Sequence, residues 1–116
     1  MLIKKKREKI YRKERVSKRE DFIRLVQQGS RYYSKQYSVI IVQNNLDYAR
    51  LAISIKKNVG NAAVRNYEKR VCRELFRREK EWFKKGNDIL IVIKHQTKDF
   101  HKSYNTLKKI FHRCFS

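Results

Sequence analysis

Apolar positions along this chain follow two rhythms, helical spacing in some stretches and β-branched runs in others. A Ser17/Glu20 pair forms a capping-box pattern, Phe22, Leu25 and Val26 then recur at helical steps, and Gly29 offers a stop, which predicts a short first helix. Residues 37–42 (YSVIIV) and 50–55 (RLAISI) are rich in β-branched side chains and separated by a polar stretch, so they predict an antiparallel hairpin. Residues 88–93 (DILIVI) do not alternate, as expected of a strand covered on both faces or lying in the middle of a sheet. A long helix over residues 62–84 is entered through Gly60 and Asn61 and closed by Gly86. A last helix after Asp99 repeats Phe100, Tyr104, Leu107, Phe111 and Cys114 at steps of four and three. The order is α-β-β-α-β-α, with room for one extra short strand. This predicts an α+β two-layer sandwich with a mixed central sheet and a long basic crossover helix.

The long helix has two unlike sides. Val64, Tyr67, Val71, Leu75 and Trp82 gather on one, while Arg65, Lys69, Arg73 and Arg77 drift along the other with Asn66 and Arg70 beside them. Charge runs are usually solvated surface. Here the sign is nearly uniform, since only Glu68 and Glu74 interrupt it before Glu79. The whole chain repeats the bias: 31 Lys+Arg against 11 Asp+Glu give a net charge of +20 on 116 residues. Charge of this size implies a polyanionic partner, either nucleic acid or an anionic membrane. No apolar run approaches the ~20 residues that span a bilayer, and the basic N-terminus leads into no apolar signal segment. Nucleic acid is therefore the expected partner and the cytoplasm the expected location. The length and 41% hydrophobic content fit a single folded domain over residues 1–116. Residues 1–15 form a basic arm, expected to lack fixed structure until it meets a polyanion.

Candidate chemistry within the chain is sparse. Cys72 and Cys114 form no CxxC pair and read as reduced thiols. His95, His101 and His112 lack metal-ligand spacing. Asp21, Asp47, Asp88 and Asp99 are scattered singly, whereas a protein-only metal nuclease needs clustered carboxylates, so they read as caps, hairpin or strand-end residues. Neither a catalytic residue nor a metal site is expected in the protein.

The segment GNAAVRNYEKRVCRELFR, residues 60–77, resembles the signature of the bacterial ribonuclease P protein subunit, approximately KK-x-GNA-x-x-RN-R-x-KR-x-x-RE-x-FR. The order of the surrounding elements matches that family over essentially the full chain. Tyr67 departs from it, standing where the family has a second arginine, and so does Glu68, where an aliphatic residue is common. The resemblance implies a left-handed crossover through the long helix, although general rules favour the right-handed form. It implies an accessory subunit of a ribonucleoprotein that removes the 5′ leader from precursor tRNA, with Mg²⁺ held mainly by the RNA subunit. Motif matching assigns Lys56, Lys57, Gly60, Asn61, Arg65, Asn66, Lys69, Arg70 and Arg73 to the catalytic RNA. It assigns Phe22, Val26, Tyr37 and Ile40 to the single-stranded leader of precursor tRNA, in a groove between the first helix and the sheet. DNA is not expected, because the long helix is flanked by strands and not by the short preceding helix of a helix-turn-helix. A structural RNA binder such as a small ribosomal protein would share the charge, size and basic helix. The spacing of the signature separates the two.

Overall fold

Four strands form one mixed sheet in the computed structural model, which describes residues 12–79, 86–96 and 99–115. In chain order the elements are α1 (Arg19–Gln28), β1 (Ser30–Tyr33), β2 (Tyr37–Gln43), β3 (Arg50–Ile55), α2 (Ala62–Arg78), β4 (Asn87–Ile93) and α3 (Phe100–Phe115). Single 3₁₀ turns at Arg12–Glu14 and Lys57–Val59 precede α1 and α2. The strands lie in the order β1-β2-β4-β3, with β4 antiparallel to β2 and parallel to β3. The α+β class and the mixed sheet are as the sequence predicts.

β4 takes the centre because both of its faces are apolar: Ile89, Ile91 and Ile93 enter one cluster, Leu90 and Val92 the other. This overturns the expected hairpin between β2 and β3. β4 separates the two, and the antiparallel hairpin is instead β1–β2, one strand earlier, with Tyr33 opposite Ser38 and Ser30 opposite Ile41. The polar stretch after β2 therefore crosses the end of β4, where the Asn44 N–H donates to the Gly86 carbonyl at 2.8 Å.

One face of the sheet carries the larger core. Tyr37, Val39, Leu51, Ile89, Ile91 and Ile93 pack there against Val71, Cys72, Leu75 and Phe76 of α2 and Leu107, Ile110 and Phe111 of α3. α1 lies across the other face, its Leu25 fully buried against Ile40, Ala52 and Leu90, so the sandwich gains a partial third layer. Burying a leucine of this kind contributes about 1.5–3 kcal/mol. Gly29 ends α1 for a packing reason: a Cβ there would fall on the Ile40 side chain and the Leu25 carbonyl. At the other end the expected Ser17/Glu20 box does not form. Lys18 holds the N-cap position and makes no side-chain capping bond.

The basic arm is partly ordered against expectation. Residues 12–14 form a turn and Arg15 pairs with Leu51 at the outer edge of β3, because that edge offers free backbone groups. Residues 1–11 of the arm, Trp82, and the expected extension of α2 to residue 84 lie outside the described residues.

Candidate nucleic-acid interface

α2 starts where the sequence places it. Asn61 caps the helix by accepting a hydrogen bond from the Val64 N–H at 3.0 Å. Gly60 has φ 158°, and a Cβ would press on the Val64 side chain, so the turn from Lys56 to Asn61 tolerates little else. Asn61→Ala is expected to cost about 1 kcal/mol, measured by urea denaturation. Arg65 folds back, its Nη1 donating to the Lys56 carbonyl at 3.0 Å, which ties the helix to the exposed Lys56–Lys57 turn.

Along the exposed side, Asn66, Arg70 and Arg73 are open to solvent and Lys69 is half-buried. Among the described residues no carboxylate pairs with Lys69, Arg70 or Arg73. Arg77, expected on the same stripe, is engaged by Glu74, with Nε donating to Oε1 at 3.0 Å. The two departures from the signature both turn away from this side. Tyr67 meets Phe100 of α3 edge-on at 6.4 Å, and Glu68 is completely buried on the core side, where the Gln36 amide donates to it at 3.5 Å. Glu68 therefore does not interrupt the cationic face, contrary to its reading from sequence. The same burial, followed by the charge of Glu68, pushes the adjacent Cys72 thiol well up from its usual range. Both cysteines are free thiols, and Cys72 sits inside the core.

The second surface lies beside α1. Residues facing one another across the register share a face, so Tyr33, Ser38, Val92 and Ser54 form one row and Arg31, Ile40, Leu90 and Ala52 the next. α1 covers the second row. A buried ion network holds one flank of the helix: Arg50 grips Asp88 through two bonds of 2.8 and 2.7 Å, and Arg24 adds a third at 3.1 Å. Asn44 donates to Asp88 at 2.8 Å, and Asp21 sits 3.4 Å from both arginines. Asp88 is thus a strand-end residue, as expected, and also the anchor of α1. Asp99 caps α3 through the His101 N–H at 2.9 Å.

Because that flank is tied down, the opposite flank, bearing Phe22 and Val26 one helical turn apart, overlooks the row from Tyr33 to Ser54. A groove results. Phe22 is half-buried against the second cluster and Val26 is 52% exposed, both available to a ligand. Tyr37 and Ile40 are corrected. Tyr37 is fully buried on the face that packs against α2 and α3, while Ile40 lies beneath α1 at 3% exposure. Their odd separation puts them on opposite sides of a strand whose period is two. Burial raises the Tyr37 hydroxyl far above its usual range, so it stays neutral. The register also sets Tyr33, buried Ser38, Ser54 and Val92 along this flank, none of them picked out from sequence, together with Lys94, whose ammonium lies 5.7 Å from the Tyr33 ring centre. A register drawn with β4 in the middle would have found them.

Among the described residues no three His, Cys, Asp or Glu side chains assemble into a possible metal site, and no helix is long and apolar enough to cross a membrane. Fold and surfaces together define a small α+β protein with a cationic helix face fitted to a polyanion.

Comparison with known proteins then gives the family. The Ribonuclease P family model matches residues 10–115. The ribonuclease P protein component of Syntrophus aciditrophicus is 39% identical over 84 residues, covering 72% of this chain and 71% of that one. That of Dictyoglomus turgidum is 33% identical over 107 residues, covering 89% and 90%. Among solved structures, the Staphylococcus aureus RNase P protein superposes with a TM-score of 0.78 at 28% identity, covering 89% of this chain and 98% of that one. The Thermotoga maritima RNase P protein gives 0.74 at 32% identity, covering 86% and 96%. The chain belongs to the ribonuclease P protein family, and the small ribosomal protein considered from composition is not favoured.

Proposed function

We propose that the chain assists a catalytic RNA in endonucleolytic removal of the 5′ leader from precursor tRNA in the cytoplasm. Lys69, Arg70 and Arg73, which pair with no carboxylate among the described residues, bind the RNA subunit beside Asn66 and the Lys56–Asn61 turn. The groove between the Phe22/Val26 flank of α1 and the row from Tyr33 to Ser54 receives the single-stranded leader. Mg²⁺ is held mainly by the RNA and supplies the hydrolytic chemistry, while the protein positions the strand. Two features support this division. Asp88 and Asp21 are committed to arginines and so are poor ligands for a metal ion, and a groove with aromatic edges and cations suits unpaired bases of varied sequence.

The observation that carries the reading is the run of cations on one side of α2 that pair with no carboxylate among the described residues, near the candidate groove beside α1. Phe22→Ala tests it: assembly with the RNA is expected to remain intact, while substrates with a leader bind about 5–150-fold more weakly, the worth of one lost stacking contact. Equal weakening for tRNA lacking a leader would remove the groove from the reaction.

A further inference from the structure

α3 carries a second set of cations, apart from those of α2. Its buried residues Tyr104, Leu107, Ile110 and Phe111 join the larger core, and Tyr104 and Lys108 reach Glu79 at the end of α2. At about 100° per residue, Lys102, Lys109 and Arg113 fall within ~40° of one another on the side of α3 opposite Tyr104. All three are exposed, with His101, Asn105 and His112 exposed beside them. The stripe runs about 16 Å along the helix at ~1.5 Å per residue.

A solvated charged helix ordinarily interleaves acids with its bases at i,i+4. Residues 100–116 contain no Asp or Glu. Two carboxylates beside the helix are engaged elsewhere: Glu79 takes Lys108 and the Tyr104 hydroxyl, and Asp99 accepts from the His101 and Lys102 N–H groups as the helix cap. Among the described residues no carboxylate pairs with Lys102 or Lys109.

The chemistry of the stripe selects its partner. The apolar side of α3 is taken up in the core, so the helix has none left to lay into a bilayer surface. Tyr104 and Phe111 are buried and Phe100 is half-buried against Tyr67, which leaves unpaired bases no stacking platform on the stripe. A row of cations with amide and imidazole groups, and no ring to stack on, fits a regular phosphate backbone. Double-helical RNA offers one, and is recognised by its shape and its phosphates.

We propose that the outer stripe of α3 docks on the phosphate backbone of a double-helical segment of the RNA subunit. The proposal rests on the ribonuclease P reading and extends it to a second, separate contact. α2 packs over β3 and α3 over β1, so the two cationic sides belong to different flanks of one helical layer. The RNA subunit is the source because α3 shares that layer with α2, whereas the leader groove lies across the sheet beside α1.

The test is the full chain with Lys102→Ala, Lys109→Ala and Arg113→Ala combined. Alanine at exposed helical positions favours the helix, and circular dichroism checks that the fold is kept. Binding to the RNA subunit should lose about 2–2.7 from the slope of log K against log salt, at about 0.7–0.9 for each phosphate contact. The loss should add to that of the combined Lys69→Ala, Arg70→Ala and Arg73→Ala variant, as for independent sites. Hydroxyl-radical footprinting at saturating protein should show a paired segment of the RNA subunit that the unmodified chain and the α2 variant protect and the α3 variant does not. An unchanged slope, or protection lost only from unpaired RNA, would overturn the proposal. So would an α3 variant that keeps its affinity for the RNA subunit and loses it for precursor tRNA or for vesicles of anionic phospholipid. Leader cleavage by the unmodified holoenzyme alongside an unchanged slope assigns the failure to the stripe and not to the ribonuclease P reading.

Discussion

Replacing Lys69, Arg70 and Arg73 together by alanine is expected to flatten the salt dependence of binding to the RNA subunit by about 2–2.7 in the slope of log K against log salt. Each phosphate contact releases counterions and contributes about 0.9 to that slope on a duplex and about 0.7 on a single strand. These three side chains are the appropriate ones because no acid among the described residues competes for them. Arg77 makes a useful control. Glu74 already engages it, so Arg77→Ala should change the slope by much less than one unit. Equal effects at Arg73 and Arg77 would mean that the cationic side has been drawn wrongly.

A second large effect should follow from Asp88→Ala. Asp88 is completely buried and accepts from Arg50, Arg24 and Asn44. Its removal takes both short bonds from Arg50 and one each from Arg24 and Asn44, leaving Asp21, at 3.4 Å from each arginine, to face two charges at the seat of α1. Breaking a buried ion pair from one side typically costs about 3–5 kcal/mol, which for a domain of this size lowers Tm by roughly 10–20 °C. Differential scanning calorimetry reads this directly. The groove should be lost before the cationic side, because the network holds α1 and, among the described residues, none of its hydrogen bonds or ion pairs reaches α2. Destabilisation below about 1 kcal/mol, the scale of an exposed pair, would show that Leu25 and its neighbours hold α1 without the network.

Much of this architecture is legible in the residues, and the failures have identifiable causes. The runs 50–55 and 88–93 and the start of the long helix at Ala62 fall where their patterns put them, and the apolar continuity of DILIVI does mark the centre of the sheet. Sequential adjacency misled the pairing. β2 and β3 look like a hairpin because only a polar stretch separates them, but the strand with two apolar faces must be covered on both edges, and it takes the place between them. β1 is four residues of Ser, Arg and Tyr, mostly exposed, and gives almost no signal.

Pairing errors then passed into the site. Without the β1–β2–β4–β3 register the row of Tyr33, Ser38, Val92 and Ser54 cannot be drawn, and Tyr37 was assigned to a groove on the face it does not share. The cationic side of α2 was legible because helical periodicity needs no knowledge of partners. Glu68 was the exception there: a carboxylate is read as surface until the structure shows it under Gln36 and beside Cys72. The Asp88 network was hidden for a related reason, since its bonded partners are separated by up to 64 residues.

Reconstitution measures the division of labour between protein and RNA most directly. Cleavage of a precursor tRNA at low Mg²⁺ would be followed with a bacterial ribonuclease P RNA alone, with this chain alone, and with both together. Leader removal is expected only from the pair, with the chain by itself inert. Cleavage by the purified chain free of all RNA, or a pair no more active than the RNA alone, would contradict an accessory, strand-positioning protein.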